Sequence, residues 1–345
     1  MVATKHIVFI VPGFPKDEED FLCAPPLQQL IRELQSSNVV EISILAIHYP
    51  YAPRRYSWNG VNVVSLGGNN ARGWRKLKYY RKAISHLNDL HRAHTIDVVH
   101  SFWLSDASVV GSRWTKRNKI PHCITFMGQE AETASIYRRF VRKTDRLIAL
   151  SSAQKKRIET RLKLTVTDVI PFGIRKERWI QTERSTDILG VGSLIAVKNY
   201  RQFIETIARM QAQRSLKVRL VGDGPLRAEL EELAKEKNAS IEFLGIIERT
   251  AVLAEMQKAK VLFHPSYSES LGFVFLEALM CGASIVSNEV GIASDVHSEN
   301  WSIVKDNGYE RALLAQLSRT SAREEEVPFD ISNTAAHYLK LWKIK

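Results

Sequence analysis

Residues 264–279 read HPSYSESLGFVFLEAL, and this stretch decides how the rest of the chain is read. The five residues before the first proline, KVLFH (260–264), have the apolar run of a buried strand. A short polar loop follows, and an apolar helix is expected over 272–281 before a further strand at 284–287. A strand end, a loop and a helix start form one β/α repeat, and in sheets built from such repeats ligands sit at the carboxyl ends of strands, against helix N-termini. Ser270, Leu271, Gly272 and Phe273 would there offer unpaired backbone N–H groups at the positive end of the helix. Gly272 lets a ligand approach the backbone closely, a combination that suits phosphate. Glu269 lies in the loop, either as a ligand-facing carboxylate or as a helix cap. Glu277 stands inside an otherwise apolar helix, where a carboxylate needs a partner, either a ligand's hydroxyl pair or a base on a neighbouring element.

The same alternation extends in both directions. The second half reads as strand 188–192, helix 199–211, strand 217–221, helix 225–237, strand 240–244 and helix 250–258, leading into the stretch above. The first half reads as strands at 6–11, 40–47, 61–66, 97–100, 120–126, 147–151 and 168–170, with helices at 24–36, 74–90, 105–118 and 152–161. The helix at 74–90 is expected to carry Trp74, Leu77, Tyr80, Ile84 and Leu87 on one face. A polar stretch at 175–187 separates the two series, and a final amphipathic helix is expected at about 332–343. Two successive β/α series argue for two doubly wound α/β domains, in keeping with 345 residues.

Two further loops in the second half follow strands. GVGSLIAVKN (190–199) places Lys198 just before a helix, where it is either a surface lysine or a point charge for phosphate. VGDGPLR (221–227) is one residue short of a dinucleotide fingerprint, since Arg227 occupies the third glycine position, so it is not read as a nicotinamide site. There is no GxxxxGK[ST], and no pair of aspartates two residues apart to chelate a metal diphosphate. Three scattered cysteines, Cys23, Cys123 and Cys281, are too few for a disulfide framework or a zinc site and fit a reducing compartment. Neither a signal peptide nor a spanning helix of ~20 apolar residues is recognisable, so a soluble, cytoplasmic chain is expected.

Glu269 and Glu277 form an E-x7-E motif inside PSYSESLGFVFLEALMCGASIV, which resembles the signature of family 4 glycosyltransferases. VGSLIAVKNY, VGDGPL, FLG (243–245), VIPFGI (169–174), NEVGIASDV (288–296) and the C-terminal FDISNTAAHYLKLW support the resemblance, which is specific over 188–296 and looser before 170. It implies a GT-B fold, with two Rossmann-like domains facing across a cleft and a last helix crossing back to the first. The corresponding boundaries are an acceptor-binding domain at 1–175, a hinge at 176–187, a donor-binding domain at 188–328 and the returning helix at 329–345.

The resemblance further implies a retaining transfer of sugar from a nucleoside diphosphate sugar to an acceptor hydroxyl. The acceptor would be a glycan or glycolipid, in the synthesis of cell-surface polysaccharide or glycolipid. Glu269 and Lys198 would be catalytic, the first near the donor sugar and the second neutralising the departing diphosphate. Gly13, Ser193, Gly222, Ser270, Leu271, Gly272, Phe273 and Glu277 would complete the donor site, Glu277 through the ribose hydroxyls. No cofactor and no metal are expected beyond the donor itself. The sequence departs from the family in three places. Ser193 stands where many members carry Arg, Met127 where many carry a histidine, and the loop at Gly13 has one glycine. His100, Gln129 and Glu130 are the polar residues left for the acceptor side, and a catalytically inactive nucleotide-sugar-binding partner subunit is the alternative reading.

The charge is uneven. Residues 1–180 hold 29 Lys and Arg against 15 Asp and Glu, whereas 181–345 hold 20 against 22, so the whole formal excess of +12 lies in the first half. Residues 72–82, RGWRKLKYYRK, have six basic residues in eleven with interleaved aromatics. This suits an anionic membrane surface if the aromatics face outward, or a helix packed on its domain with a solvated basic face if they do not. No nucleic-acid motif accompanies the charge, so no nucleic-acid partner is expected.

Overall fold

The structure is a computed structural model that describes residues 4–128, 130, 136–175, 183–319 and 329–344. It divides into two compact units, Met1–Arg175 with Ile331–Lys345, and Lys176–Asp330.

The first unit holds β1 (Lys5–Gly13), β2 (Val40–Tyr49), β3 (Arg54–Trp58), β4 (Val61–Ser65), β5 (Val98–Phe102), β6 (His122–Thr125), β7 (Arg146–Ala149) and β8 (Asp168–Val169). They lie in the order β3-β4-β2-β1-β5-β6-β7-β8. All neighbours are parallel except β3 and β4, whose antiparallel pairing makes an edge that sequence alternation alone did not foretell. The sheet is covered by α1 (Pro25–Ser36), α2 (Lys76–Ala93), α3 (Asp106–Asn118) and α4 (Ser152–Arg157), the last continuing as one π turn. Strand order reverses between β1 and β5.

One expected face is corrected. Helix α2 is preceded by a 3-10 turn over Gly73–Arg75, and its buried residues are Ala83 and Leu87. Trp74 is 80% exposed and Leu77 49%. Helical spacing alone grouped them with Leu87, whereas of that face only Tyr80 and Ile84 join Leu87 at the core.

The second unit holds β9 (Thr186–Val191), β10 (Val218–Val221), β11 (Glu242–Gly245), β12 (Ala259–His264), β13 (Ser284–Asn288) and β14 (Trp301–Val304), ordered β11-β10-β9-β12-β13-β14. Its helices are α5 (Tyr200–Gln211), α6 (Arg227–Glu236), α7 (Arg249–Lys258), α8 (Phe273–Met280) and α9 (Tyr309–Leu317). All pairings are parallel, and the order reverses between β9 and β12. Strand β14 and helix α9 were not foreseen.

The final helix, α10 (Ile331–Leu341), packs within the first unit. Ile331 N–H donates to the Ile174 carbonyl at 3.1 Å, and the Thr334 hydroxyl accepts from Gly173 N–H at 2.8 Å and donates to the Pro171 carbonyl at 2.9 Å. The VIPFGI segment is thus clasped by the helix that follows the second unit in sequence. Tyr338 and Trp342 complete an aromatic cluster with Phe9 and Phe102. Among the described residues, no helix is long and apolar enough to cross a membrane.

Arg184 shows what part of the polar seam at 175–187 does, although 176–182 lie outside the described residues. Its guanidinium donates to the carbonyls of Met256 (3.2 Å) and Ala259 (2.6 Å) at the end of α7, and to those of Cys281 (2.9 Å) and Gly282 (2.8 Å) at the end of α8. Four carbonyls around two helix ends, of which Met256's also accepts from Ala259 N–H, are bonded by one planar cation at the negative ends of two dipoles. Replacing Arg184 by Ala is expected to cost about 3 kcal/mol, since charge-assisted bonds are lost and carbonyls are left unsatisfied. Arg184→Lys should recover only part, as a point charge cannot serve four acceptors. Urea unfolding would read both, and an unchanged midpoint for Arg184→Ala would refute the assignment.

Candidate active site

The loops after β9 and β12 flank the reversal in strand order of the second unit, and they meet. Lys198 Nζ is 2.5 Å from Glu269 Oε1, and His264 Nε2 is 2.7 Å from the same oxygen. His264 ends β12 and is fully buried, with its Nδ1 unpartnered among the described residues. Burial holds its pKa below the usual value despite the neighbouring carboxylate. A neutral ring therefore donates from Nε2 and keeps Nδ1 unprotonated. Burial pushes the Glu269 carboxyl up, but the His264 hydrogen bond and the Lys198 charge outweigh it and hold its pKa at about 2.

The two loops are also laced by backbone. Tyr267 N–H donates to the Val197 carbonyl at 2.9 Å, and so does the Ser266 hydroxyl at 3.0 Å. Asn199 and Asn288 both donate to the Pro265 carbonyl, at 3.3 and 3.1 Å, so the end of β13 joins in. Ile292 N–H bonds the Leu271 carbonyl at 2.8 Å, steadying the segment that leads to Gly272. Gly272 caps α8 at φ 80°, and a Cβ there would lie 2.4 Å from the Phe275 ring, so no other residue fits without a shift.

Gly192, at the end of the strand before this loop, brings the backbone close to this pair. A Cβ built on Gly192 would sit 2.9 Å from the Tyr200 hydroxyl and 3.8 Å from Lys198 Cε. The Tyr200 hydroxyl is buried and has no partner among the described residues. Burial and the nearby Glu269 charge push its pKa up, so it stays a neutral donor. A cation and an unpartnered buried hydroxyl thus stand close to the Gly192 backbone at a strand end.

The other expected donor residues fall as follows. Ser193 is exposed in the same loop. Gly222 has a packing role: a Cβ would lie 1.9 Å from the Gly192 carbonyl oxygen, so Gly222 is what lets the loop after β10 close on the loop after β9. Leu271 is buried, while Ser270 and Phe273 are partly exposed beside Gly272. Glu277 takes the base-paired option, with Arg249 Nε 3.1 Å from its Oε1. Gly13 closes β1 in the first unit, paired with Tyr49.

Two acceptor-side candidates need correction. His100 is fully buried, stacked on Phe102 at 4.3 Å and hydrogen-bonded to the Thr125 hydroxyl at 2.8 Å. It is a core residue, and burial drives its pKa well below the usual range. Glu130 accepts from Met127 N–H at 2.6 Å and Gly128 N–H at 2.7 Å, so its carboxylate braces its own loop. Gln129 lies outside the described residues.

Sequence reasoning missed His264 and Tyr200, which stand within the quoted stretch and loop; a polar residue at each element's inner end was the available signal. It also missed Asp106. At the start of α3, this buried carboxylate accepts from His48 Nε2 (2.8 Å), from Lys76 Nζ (3.0 Å) and from the Tyr80 hydroxyl. Burial opposes its ionisation, yet these donors hold its pKa at about 2.

Comparison with known proteins agrees with this geometry. Residues 174–331 match the family described as Glycosyl transferases group 1, and residues 24–173 match the Glycosyl transferase 4-like domain. An uncharacterized glycosyltransferase of Methanocaldococcus jannaschii is 26% identical over 89% of this chain and 84% of its own length. A 2-deoxystreptamine glucosyltransferase of Streptomyces kanamyceticus is 28% identical over 44% of this chain and 40% of its own. Among solved structures, sucrose-phosphate synthase of Thermosynechococcus elongatus superposes with a TM-score of 0.73 at 19% identity, covering 98% of both chains. HepE of Anabaena, solved with UDP and glucose, gives 0.67 at 15%, covering 97% of this chain and 95% of its own. The two matched regions, the two doubly wound sheets and the motif at 269–277 lead to one conclusion: the chain is a GT-B glycosyltransferase of the group 1, family 4 type.

Proposed function

We propose that the chain transfers a glycosyl unit from a nucleoside diphosphate sugar to a hydroxyl of a glycan or glycolipid, with retention and without a metal or other cofactor, in the synthesis of cell-surface polysaccharide or glycolipid on the inner face of a membrane. The observation that carries this reading is the Lys198–Glu269–His264 cluster beside the N-terminus of α8. When a diphosphate binds beside Lys198, Lys198 turns from Glu269 to the phosphate, and the helix N-terminus faces the same charge. Both stabilise the negative charge that develops as the sugar leaves, a contribution that is often the largest single one in catalysis.

Glu269 stays bonded to the buried His264 when Lys198 leaves it, which blunts the carboxylate as a nucleophile. That favours attack by the acceptor on the face from which the diphosphate departs, with the leaving phosphate taking the proton. Glu269 then orients the sugar by accepting from its hydroxyls. An inactive nucleotide-sugar-binding subunit is favoured by one observation only: Met127 carries no proton-transferring group, and the neighbouring Glu130 is committed to its loop.

A thermal-shift panel of nucleotides and nucleotide sugars is the first test, because a ligand of the folded state raises its apparent stability. A nucleotide sugar that stabilises the protein but is neither transferred nor hydrolysed would select the inactive reading. With the donor so identified, Lys198→Ala is expected to lower kcat by about 100-fold or more while changing donor affinity less. A kcat within a few-fold of the parent would remove Lys198 from the mechanism.

Glu277→Gln separates its two readings. A ribose-binding role predicts weaker donor binding, about tenfold, from loss of a charge-assisted bond. Lower stability with unchanged affinity would leave only the ion pair with Arg249.

The depressed pKa of Glu269 has a consequence for acid stability. The folded value of about 2 lies below the ordinary carboxylate value of about 4.3, so the stabilisation is complete above roughly pH 4.5 and is lost as pH falls toward 2. Glu269→Gln should flatten the fall of the urea midpoint across that window. A slope equal to the parent's would contradict the assigned shift.

A further inference from the structure

The 3-10 turn Gly73–Arg75 and the start of α2 do not stand alone on the first unit's surface. A second short helical segment, Ile136–Phe140, runs beside them. Lys76 Nζ is 2.6 Å from the Tyr137 hydroxyl and 5.1 Å from the centre of its ring. Arg113 lies over both the Tyr80 ring, at 5.7 Å, and the Phe140 ring, at 5.2 Å, so the two segments share a cation.

Each segment turns large apolar side chains outward: Trp74 (80% exposed) and Leu77 (49%) from one, Ile136 (64%) and Phe140 (37%) from the other. Around the first, Arg72, Arg75, Lys78, Arg81 and Lys82 are exposed. The second is flanked by exposed Arg138, Arg139 and Lys143. None of these eight cations is paired with a described carboxylate, and neither 68–82 nor 136–143 contains an acidic residue. The loop at 68–72 and the start of α2 enclose an open hollow of about 1200 Å³ whose lining includes Trp74, Arg75, Lys78, Arg81 and Lys82.

We propose that these two segments form one docking surface for an anionic lipid bilayer, with Trp74, Leu77, Ile136 and Phe140 entering the headgroup–acyl boundary and the surrounding cations and hollow taking lipid phosphates. The proposal rests on the membrane-face acceptor of the reading above and names the surface that would deliver it. The pattern of exposure chooses the bilayer over other polyanions. Nucleic acid uses cations and stacking rings, but gives no site to outward aliphatic side chains such as Leu77 and Ile136. A bilayer rewards apolar side chains and cations together. Helix α2 is itself fixed, because Lys76 and Tyr80 are anchored on the buried Asp106. The surface is therefore preformed rather than folded on contact.

The test is cosedimentation of the full chain with vesicles of phosphatidylcholine containing phosphatidylglycerol, with pure phosphatidylcholine vesicles and a short double-stranded DNA as comparisons, across a salt series. Binding to the anionic vesicles alone, falling steeply with salt, is expected. The double variant Trp74→Ser/Ile136→Ser and the double variant Lys78→Glu/Arg81→Glu should each weaken it at least about tenfold. All four positions are exposed, so thermal unfolding and nucleotide binding should match the parent. Absence of vesicle binding at low salt overturns the proposal. So does DNA binding as strong as vesicle binding and indifferent to Trp74→Ser/Ile136→Ser, which would assign the patch to nucleic acid. Because nucleotide binding is measured on the same samples, failure of the docking surface is distinguishable from failure of the glycosyl-transfer reading.

Discussion

A single carboxylate oxygen ties two loops of the second unit together. Glu269 Oε1 receives both Lys198 Nζ and His264 Nε2, one from the loop after β9 and one from the end of β12. These are the two strands between which the order of the sheet reverses. At such a point the helices that follow the strands leave to opposite faces, so the loops diverge and a cavity opens between them. The ion pair spans that divergence. Its histidine is fully buried, and its lysine keeps some exposure to solvent. The remaining lacing, Val197 to Tyr267 and Asn199 to Pro265, is backbone or amide and supplies rigidity without adding charge.

The first unit uses the same device for a different end. Asp106, at the start of α3, gathers donors from β2 and α2. Both carboxylates are costly to bury and both are kept ionised by several donors, which outweigh desolvation. In one case the arrangement joins two loops beside an orphaned hydroxyl. In the other it fastens a surface helix to the sheet.

Much of the architecture was legible because parallel strands buried on both faces read as unbroken apolar runs, and the helices between them repeat at a distinct period. What periodicity could not supply was the edge. Strand β3 is half polar and owes its existence to pairing with β4, while β14 and α9 complete a sheet whose earlier strands were already assigned. Helical spacing also misplaced Trp74 and Leu77, because it reports which residues share a face and not whether anything lies opposite that face. For the candidate site, residue type and position after a strand singled out Glu269 and Lys198, which the fold brings into one ion pair. Position after a strand misjudged His100, which stands inside β5 among aromatic rings, and Glu130, whose carboxylate is taken by the backbone N–H groups of Met127 and Gly128. His264 and Tyr200 escaped because their importance lies in who lacks a partner in the folded chain.

The anchoring of α2 on Asp106 sets what can loosen it and what cannot. A carboxylate that stays ionised down to about pH 2 holds Lys76 and Tyr80 across any acidity a cell imposes. The outward cations of the same helix are screened within about 8 Å at physiological salt. One helix therefore joins an inward attachment that ignores its surroundings to an outward face that responds to them, so the grip on an anionic partner can vary while the shape presented to it does not.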